Sequence, residues 1–172
     1  PLAGLVMGTR CGCIDASVVF FLCDRLKMTP EQVKDVFNKE SGMLALSGIS
    51  SDMRPIEEGY IKGEPKCVLA FDIYAYRLAK FIASYYVPLG HVDAISFAGG
   101  IGENSDIIRK LTCDLLKEPF GLEIDDELNS KFMGFKGNGS GKISTESSKS
   151  AIFMIQTNEE LMIARSAMKF VK

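Results

Sequence analysis

The sequence predicts an α/β fold, and three observations lead to this prediction. Two short apolar segments, residues 92–98 (VDAISFA) and 151–156 (AIFMIQ), have the composition of buried strands. Each is followed at once by a turn and then by a segment whose apolar residues recur at helical spacing. Further helical segments precede both strands. This alternation is typical of a parallel sheet covered by helices.

The composition is that of one folded domain. A chain of 172 residues, 47% hydrophobic and 24% charged, is expected to form a packed core. The net charge of −2 and the scattered Lys and Arg residues exclude a typical nucleic-acid-binding protein. No apolar stretch approaches the ~18 residues that span a bilayer, so no membrane partner is expected. Five widely spread cysteines favour free thiols in a reducing cytoplasm.

The clearest helix signal lies in residues 28–42. Thr29 is placed as the N-cap, Pro30 as the first helical residue, and Gln32 as the partner of Thr29 in a capping box. Gly42 lies just past the expected end of the helix. The segment is therefore predicted to be a helix with both ends defined.

Three other segments precede the first strand. Residues 14–26 are apolar at helical spacing, with Asp15 placed to cap or charge the first turn. Residues 48–59 are polar and rich in turn formers, which predicts an ordered loop leading into a short helix. Residues 66–86 form a long helix that is apolar on more than one face. Such a helix is either central in its domain or part of a subunit interface, and we favour the interface.

The turn after the first strand is rich in glycine. It spans residues 99–104 (GGIGEN) and leads into a helix that Asn104 or Ser105 caps and that runs to about Lys117. Glycines permit close approach of a ligand, and a helix start offers free N–H groups that suit phosphate. The turn is not a Walker A loop, because no Lys-Ser or Lys-Thr pair follows it, and it is not a dinucleotide fingerprint, because Ser105 replaces the third glycine. Nucleotide binding and a glycine turn needed only for packing both remain open.

The turn after the second strand is acidic. It follows residues 134–150, whose composition predicts a mobile loop. Thr157 and Glu160 have the spacing of a capping box, which would leave Glu159 available to hold Mg²⁺ at the carboxyl end of a strand. A glutamate in a first turn also simply complements the helix dipole, and spacing alone favours that simpler interpretation.

Two arginines near the start of the chain are further candidates. Arg10 lies in a glycine-flanked segment without helical pattern, where a guanidinium could contact a phosphate or carboxylate. In residues 51–54, Asp52 could accept from a ribose or cap a turn, and Arg54 could lie flat on a base. Ordinary solvated side chains remain the alternative for both arginines.

Four motifs together resemble the acetate kinase family, within the superfamily of acetate and sugar kinases, Hsp70 and actin. They occur in order and extend over essentially the whole chain: GLVMGTRCGCID, SGISSDMR, FAGGIGEN and TNEELMIAR. The resemblance implies a ribonuclease H-like, actin-like ATPase fold. It further implies that residues 1–172 form a single, incomplete C-terminal domain, with the N-terminal half of the family protein absent. The opening residues, which lack an initiating Met, fit the same expectation.

The resemblance also implies an activity: transfer of phosphate from ATP to acetate, giving ADP and acetyl phosphate, with Mg²⁺ or Mn²⁺ as the cofactor. In-line transfer of this kind needs positioning and positive charge. The family further implies a homodimer formed through the long helix. The residues that match the family's functional positions are Arg10 for the transition state, Asp52, Met53 and Arg54 for the nucleoside, Gly100, Ile101, Gly102, Glu103 and Asn104 for the nucleotide, and Glu159 for the metal.

The sequence departs from the family pattern at two positions. Cys13 stands where the family usually has an aspartate, three positions from Arg10, and Ala16 stands where a proline is common. We expect the isolated chain to be inactive, and either to dimerise or to lie beside a missing segment. The alternatives are a non-catalytic nucleotide-binding or dimerisation module, or a propionate or butyrate kinase.

Overall fold

The structure, a computed structural model, describes residues 1–170. By its internal contacts the chain divides into two compact units, Pro1–Tyr85 and Tyr86–Lys172. The long helix of the chain contains the boundary between them. The single domain expected from the sequence stays a prediction, and each unit is described by itself.

The first unit is built from helices. Its core contains Val33, Phe37, Met43, Ile56 and Phe71, all nearly or completely buried. The helices, in chain order, are α1 (Ser17–Leu26), α2 (Pro30–Lys39), α3 (Gly42–Ser47), α4 (Met53–Ile61) and α5 (Pro65–Leu89).

Helix α2 confirms the predicted capping box. Thr29 accepts a hydrogen bond from the N–H of Gln32, and the Gln32 side chain accepts one from the N–H of Thr29. Gly42, however, has a role beyond ending α2. Its φ of +66° begins α3, and a Cβ there would lie 2.1 Å from the carbonyl oxygen of Met7. The glycine is required because another backbone segment passes against it.

Helices α1, α4 and α5 begin or end at residues that differ from the predicted boundaries. The first begins at Ser17, whose N–H donates to Asp15 Oδ1 at 2.7 Å, so Asp15 does serve the first turn. Helix α4 occupies most of what was expected to be a loop, because Asp52 caps it at its N-terminus. Helix α5 extends to Leu89 and buries one face, formed by Cys67, Ala70, Phe71, Tyr74, Ala75 and Ala79.

The second unit combines helices with a small sheet. Its elements, in chain order, are β1 (Ala94–Phe97), α6 (Gly99–Asn104), α7 (Asp106–Phe120), α8 (Asp126–Lys131), a 3-10 helix (Gly134–Lys136), β2 (Gly141–Lys142), β3 (Ala151–Met154) and α9 (Glu159–Met168). The glycine-rich segment predicted as a turn is therefore the short helix α6. Ser105, rather than Asn104, caps α7 by accepting from the N–H of Ile108.

The sheet confirms the predicted parallel pair of strands. Within residues 1–170 its order is β1-β3-β2, with β1 parallel to β3 and β2 antiparallel to it. The central strand buries Ile152 and Met154 completely. The expectation of a buried strand is wrong for much of β1, where Ala94 and Ser96 are exposed, because β1 lies at the edge of the described sheet.

Residues 134–150 are largely irregular, as expected of a loop, but they also contain short regular elements. The segment contains the 3-10 helix and β2, and Ile143 and Ser144 are buried within it. Ser144 also forms an isolated antiparallel bridge with Ile124. The sequence did not indicate these elements. The segment is rich in glycine and serine, and a two-residue strand is too short to show a periodic pattern.

Candidate functional site

The ends of β1 and β3 lie side by side, so the two candidate turns start from the same edge of the sheet. The strands run parallel, with Phe97 paired to Met154 in the last register position. The N–H of Ile155 then donates to the carbonyl of Phe97 at 2.8 Å, which continues the pairing past both strand ends. This confirms the expected placement at the carboxyl ends of parallel strands, where ligands of open α/β sheets bind.

A buried carboxylate joins the two turns. Glu103 Oε1 accepts from the N–H of Gly99 at 2.9 Å, from the N–H of Thr157 at 3.0 Å and from Thr157 Oγ1 at 2.6 Å. The residue is only 8% exposed. Burial by itself would raise the pKa of Glu103, but the hydrogen bonds from Thr157 and Gly99 outweigh it, and the net pKa is lowered. The carboxylate is therefore ionised at neutral pH.

The predicted capping box of α9 is wrong for the same reason. Thr157 donates its hydroxyl to Glu103, and Asn158 caps the helix instead by accepting from the N–H of Leu161 at 2.9 Å. Glu159 and Glu160 both lie exposed in the first turn of α9. Glu159 is thus not singled out by the capping pattern, and its assignment as a metal ligand depends on the family motif alone.

The glycines of α6 fall into two groups. A Cβ on Gly99 or Gly100 would meet no atom within 4 Å, and Gly99 has a φ of +72°. A Cβ on Gly102 would lie 3.2 Å from the carbonyl carbon of Phe97, which is close enough to force a shift. Packing therefore explains Gly102, whereas Gly99 and Gly100 leave open surface at the strand end.

The remaining polar side chain of α6 also contacts protein atoms. Asn104 Nδ2 donates to the carbonyl of Gly100, and Asn104 Oδ1 accepts from the N–H of Phe135, each at 2.9 Å. The second bond ties α6 to the 3-10 helix. The side chains of Glu103 and Asn104 thus hold the segment in place, and any contact of that segment with a ligand falls mainly to its backbone and to Ile101.

Arg109 is a buried arginine that sequence reasoning missed. It is 0% exposed on the apolar face of α7. Its Nη1 donates to the carbonyl of Gly102, Nε to Asn129 Oδ1 and Nη2 to the carbonyl of Asn129, all at 2.7 Å. The signal that could have revealed it is an arginine directly after Ile108 and three residues before Thr112, on a face that is otherwise uncharged. Arg109 fixes the C-terminal part of α6 to α8.

In the first unit, the Arg10 segment is held by backbone hydrogen bonds. The N–H of Met7 donates to the carbonyl of Arg10 at 3.1 Å, and the N–H of Cys11 donates to the carbonyl of Phe37 at 3.0 Å. Leu44 donates its N–H to the carbonyl of Gly8 at 2.9 Å. The partly exposed Arg10 side chain donates from Nη1 to the carbonyl of Pro1 at 3.2 Å. The segment is therefore rigid in its backbone, with the guanidinium near the surface.

Asp52 and Arg54 form an exposed pair beside that segment. Asp52 caps α4 by accepting from the N–H of Arg54, and it also accepts from Nε and Nη2 of the guanidinium. The side-chain hydrogen bonds from Arg54 are the main cause that lowers the pKa of Asp52 to about 2. Met53 is half-buried between them. A Cβ on Gly8 would lie 2.9 Å from the carbonyl oxygen of Ser51, so this pair and the Arg10 segment are neighbours.

No complete metal centre exists within residues 1–170. No group of three or more His, Cys, Asp or Glu side chains there is arranged to hold a metal ion. Mg²⁺ commonly uses one or two carboxylates together with substrate phosphates, so the single exposed carboxylate of Glu159 is compatible with it. All five cysteines are free thiols, as expected. Over the same residues, no helix has both the length and the apolar character needed to cross a membrane.

Comparison with known proteins identifies the family to which these motifs belong. Residues 1–165 match the sequence profile of the acetokinase family. The chain belongs to the acetokinase family. It is 49% identical to an acetate kinase from Shewanella woodyi over 172 residues, which cover all of this chain and 42% of that protein.

Solved structures of acetate and propionate kinases identify the fold. The crystal structure of Porphyromonas gingivalis acetate kinase matches with a TM-score of 0.88 at 35% identity, over 100% of this chain and 42% of that one. A propionate kinase from Francisella tularensis matches with a TM-score of 0.86 at 41% identity, over 96% and 40%. The fold is thus that of the actin-like acetate and propionate kinases, as the resemblance implied. The chain spans less than half the length of these relatives.

Proposed function

We propose that this chain is the nucleotide-binding part of a kinase that transfers phosphate from ATP to acetate. The observation that carries the proposal is the pair of adjacent strand ends, β1 and β3, with family motifs after each. Phosphoryl transfer depends mainly on positioning and on electrostatic stabilisation, which such a rigid edge supplies. Membership of the acetokinase family supports the identity of the reaction.

The proposed roles follow the family motif, position by position. Arg10 stabilises the charge of the phosphoryl group in flight, and its backbone is rigid enough to aim the guanidinium. Asp52, Met53 and Arg54 bind the nucleoside. In the second unit, the segment Gly100, Ile101, Gly102, Glu103 and Asn104 is the proposed second nucleotide-binding segment.

Glu159 is the proposed protein ligand of the metal, Mg²⁺ or Mn²⁺. Its carboxylate lies exposed at the start of α9, immediately after the edge where β1 and β3 end. The ion, when bound, neutralises charge on the phosphates during transfer. The part played by this chain is to hold one carboxylate at a fixed position beside the nucleotide.

An activity assay of a completed protein tests the reaction. The N-terminal region of Shewanella woodyi acetate kinase that precedes the matched part can be joined to this chain, and acetyl phosphate formation measured. We expect activity in the chimera and none in the chain alone. Arg10→Ala is expected to lower kcat about 100- to 1000-fold, the usual effect of losing one transition-state donor. Arg25→Ala, which removes an exposed arginine of α1, is the matched control. Equal activity of the two variants would contradict the role of Arg10.

A binding titration tests the nucleoside pocket separately. Mg-ADP affinity is measured for the parent chain, Arg54→Ala and Arg25→Ala. We expect weaker binding only in Arg54→Ala, because its guanidinium is exposed and belongs to the segment that matches the family's nucleoside-binding motif. Equal affinity in all three proteins would overturn the assignment of the nucleoside pocket.

The acceptor is proposed to be acetate. The 49% identity to the Shewanella acetate kinase favours acetate. The solved structures do not separate the two acids, since the Porphyromonas acetate kinase is 35% identical and the Francisella propionate kinase 41% identical. The second candidate, propionate, is tested in the same chimera assay by comparing kcat/KM for the two acids. If the chimera forms no acyl phosphate yet the chain binds nucleotide, a non-catalytic nucleotide-binding module is the better description.

We further propose a homodimer through α5 and a cytoplasmic setting. Opposite its buried face, α5 exposes Leu69 and Tyr76, an apolar surface of the kind that subunit interfaces cover. Five free thiols favour a reducing compartment. Static light scattering should give a dimer for the parent chain and a monomer for Leu69→Glu. Leu115→Glu, at an exposed leucine of α7, should remain a dimer. A monomeric parent chain would contradict the proposal.

A further inference from the structure

Glu103 has a side chain that joins the two turns of the proposed nucleotide site. Its Oε1 accepts three hydrogen bonds, and their donors come from both turns: Gly99 after β1, and Thr157 after β3. Gly99 and Thr157 are 58 positions apart in the chain, as their numbers show. A single oxygen atom therefore couples the two strand ends on which the proposed site depends.

The second oxygen of Glu103 is enclosed as well. A Cβ built on Gly134 would lie 3.1 Å from Glu103 Oε2 and 2.8 Å from Asn104 Oδ1. The 3-10 helix that begins at Gly134 thus covers the carboxylate, and a Cβ at that point would require the Asn104 side chain to shift. Because the carboxylate is covered on one side and occupied by protein donors on the other, a bound nucleotide has little access to it.

The hydrogen bonds also control where α9 starts. Thr157 lies two residues before Glu159, and both its N–H and its hydroxyl are held by Glu103. Fixing Thr157 limits the positions that the first turn of α9 can take. The same carboxylate holds Gly99, whose neighbour Gly100 provides the open surface after β1. One side chain therefore links the two turns of the proposed site directly, in addition to the strand pairing and the hydrogen bond from Ile155 to Phe97.

We propose that Glu103 is a positioning residue, which fixes the turn after β1 against the turn after β3 so that nucleotide and metal are bound together, and which does not itself contact the nucleotide. The inference deepens the proposed function and rests on it. It assigns Glu103 a role distinct from that of Gly100 and Ile101, with which the family motif groups it. The acceptor oxygen, rather than the negative charge, is the part of the side chain that matters.

The test uses variants that separate the oxygen from the charge. Glu103→Gln keeps an acceptor oxygen and removes the charge, whereas Glu103→Ala removes both. Thr157→Val removes one donor and keeps the carboxylate, and Thr157→Ser restores a hydroxyl. Glu160→Gln removes a neighbouring exposed carboxylate and is the matched control. Each 172-residue protein is examined by amide hydrogen exchange at positions 99 and 157, and by titration with ADP in the presence and absence of Mg²⁺.

The inference predicts a graded result. Glu103→Ala should speed exchange at both amides and weaken Mg-ADP binding about tenfold, since all three hydrogen bonds to Oε1 are lost. Glu103→Ala should have a smaller effect on the binding of metal-free ADP, because the separation of the two turns is what couples metal binding to nucleotide binding. The Mg-ADP affinity of Glu103→Gln and Thr157→Ser should stay within about threefold of the parent. The affinity of Thr157→Val should lie between that of the parent and that of Glu103→Ala. Glu160→Gln should equal the parent.

Three results would overturn the inference, and they are distinct from failure of the proposed function. If Glu103→Gln loses as much affinity as Glu103→Ala, the charge acts on the ligand directly. If exchange at positions 99 and 157 is unchanged in Glu103→Ala, the coupling of the turns does not exist. Binding that stays at the parent level in every variant contradicts positioning. Failure of the parent itself to bind nucleotide would instead refute the proposed function, and the nucleotide role of Glu103 with it. Should Glu103→Ala not fold, Thr157→Val against Thr157→Ser decides the question.

Discussion

The candidate segments of the two units are held in place by different kinds of hydrogen bond. In the first unit, backbone hydrogen bonds fix the segment around Arg10, and the side chains of Arg10 and Arg54 remain near the surface. In the second unit, buried side chains do the fixing: Glu103 joins two turns and Arg109 joins α6 to α8. Side-chain substitutions should therefore damage the structure of the second unit far more, whereas backbone substitutions should damage the first.

The largest expected effect is on the second unit, from Arg109→Met. The variant keeps much of the volume but leaves the carbonyls of Gly102 and Asn129 and the amide of Asn129 without their buried donor. We expect a loss of ~3 kcal/mol or more in the free energy of unfolding. Urea unfolding, followed by a probe in each unit, measures it. Arg165→Met, at an exposed arginine of α9, is the control. Equal stability of the two variants would contradict the structural role of Arg109.

The next effect concerns the backbone of the first unit, in Gly42→Ala. The new methyl would overlap the carbonyl of Met7 at a residue with φ of +66°, so both a clash and strain result. We expect a loss of about 2–3 kcal/mol, since strain at one such position costs of order 1–3 kcal/mol. Gly48→Ala has a similar φ of +72° but only ordinary contacts, and should lose about 1 kcal/mol. Thermal unfolding of the two variants should therefore differ, and an equal shift would count against the close approach.

The smallest effect concerns the exposed pair of the first unit. The pKa of Asp52 is about 2 when folded, below its ordinary value of 3.8, chiefly because of the hydrogen bonds from Arg54. A lowered folded pKa means that the contribution of the pair is present above pH ~4 and is lost as pH falls towards 2. NMR titration of the Asp52 carboxyl should give this low midpoint in the parent and a higher midpoint in Arg54→Ala, which keeps only the hydrogen bond from the backbone N–H of residue 54. An unchanged midpoint in the variant would contradict the pairing.

The same comparison explains which parts of the molecule the sequence could predict. The capping box at Thr29 and the parallel strands were predictable, because their signals are local patterns of three to seven residues. The position of the candidate site at the strand ends followed from a general rule for parallel sheets. The four family motifs supplied the assignments that spacing left open.

What the sequence could not predict depends on contacts between distant residues. Thr157 and Glu160 have the spacing of a capping box, yet Thr157 binds a carboxylate 54 residues away. The helix face of Arg109 could indicate burial, but its hydrogen-bond partners, Asn129 and the carbonyl of Gly102, are found only in the structure. Likewise β2 is too short for a periodic pattern and exists because β3 offers it an edge. Local patterns predict local structure, and these three features are not local.

One measurement tests most directly whether the two strand ends form a nucleotide site. Backbone amide NMR spectra of the chain are recorded with and without Mg-ADP, and the shift of each amide is mapped. Our account predicts that the largest changes fall at residues 99–104 and 157–160, with a second set at residues 52–54. Changes confined to other parts of the chain, or no changes at saturating Mg-ADP, would contradict it.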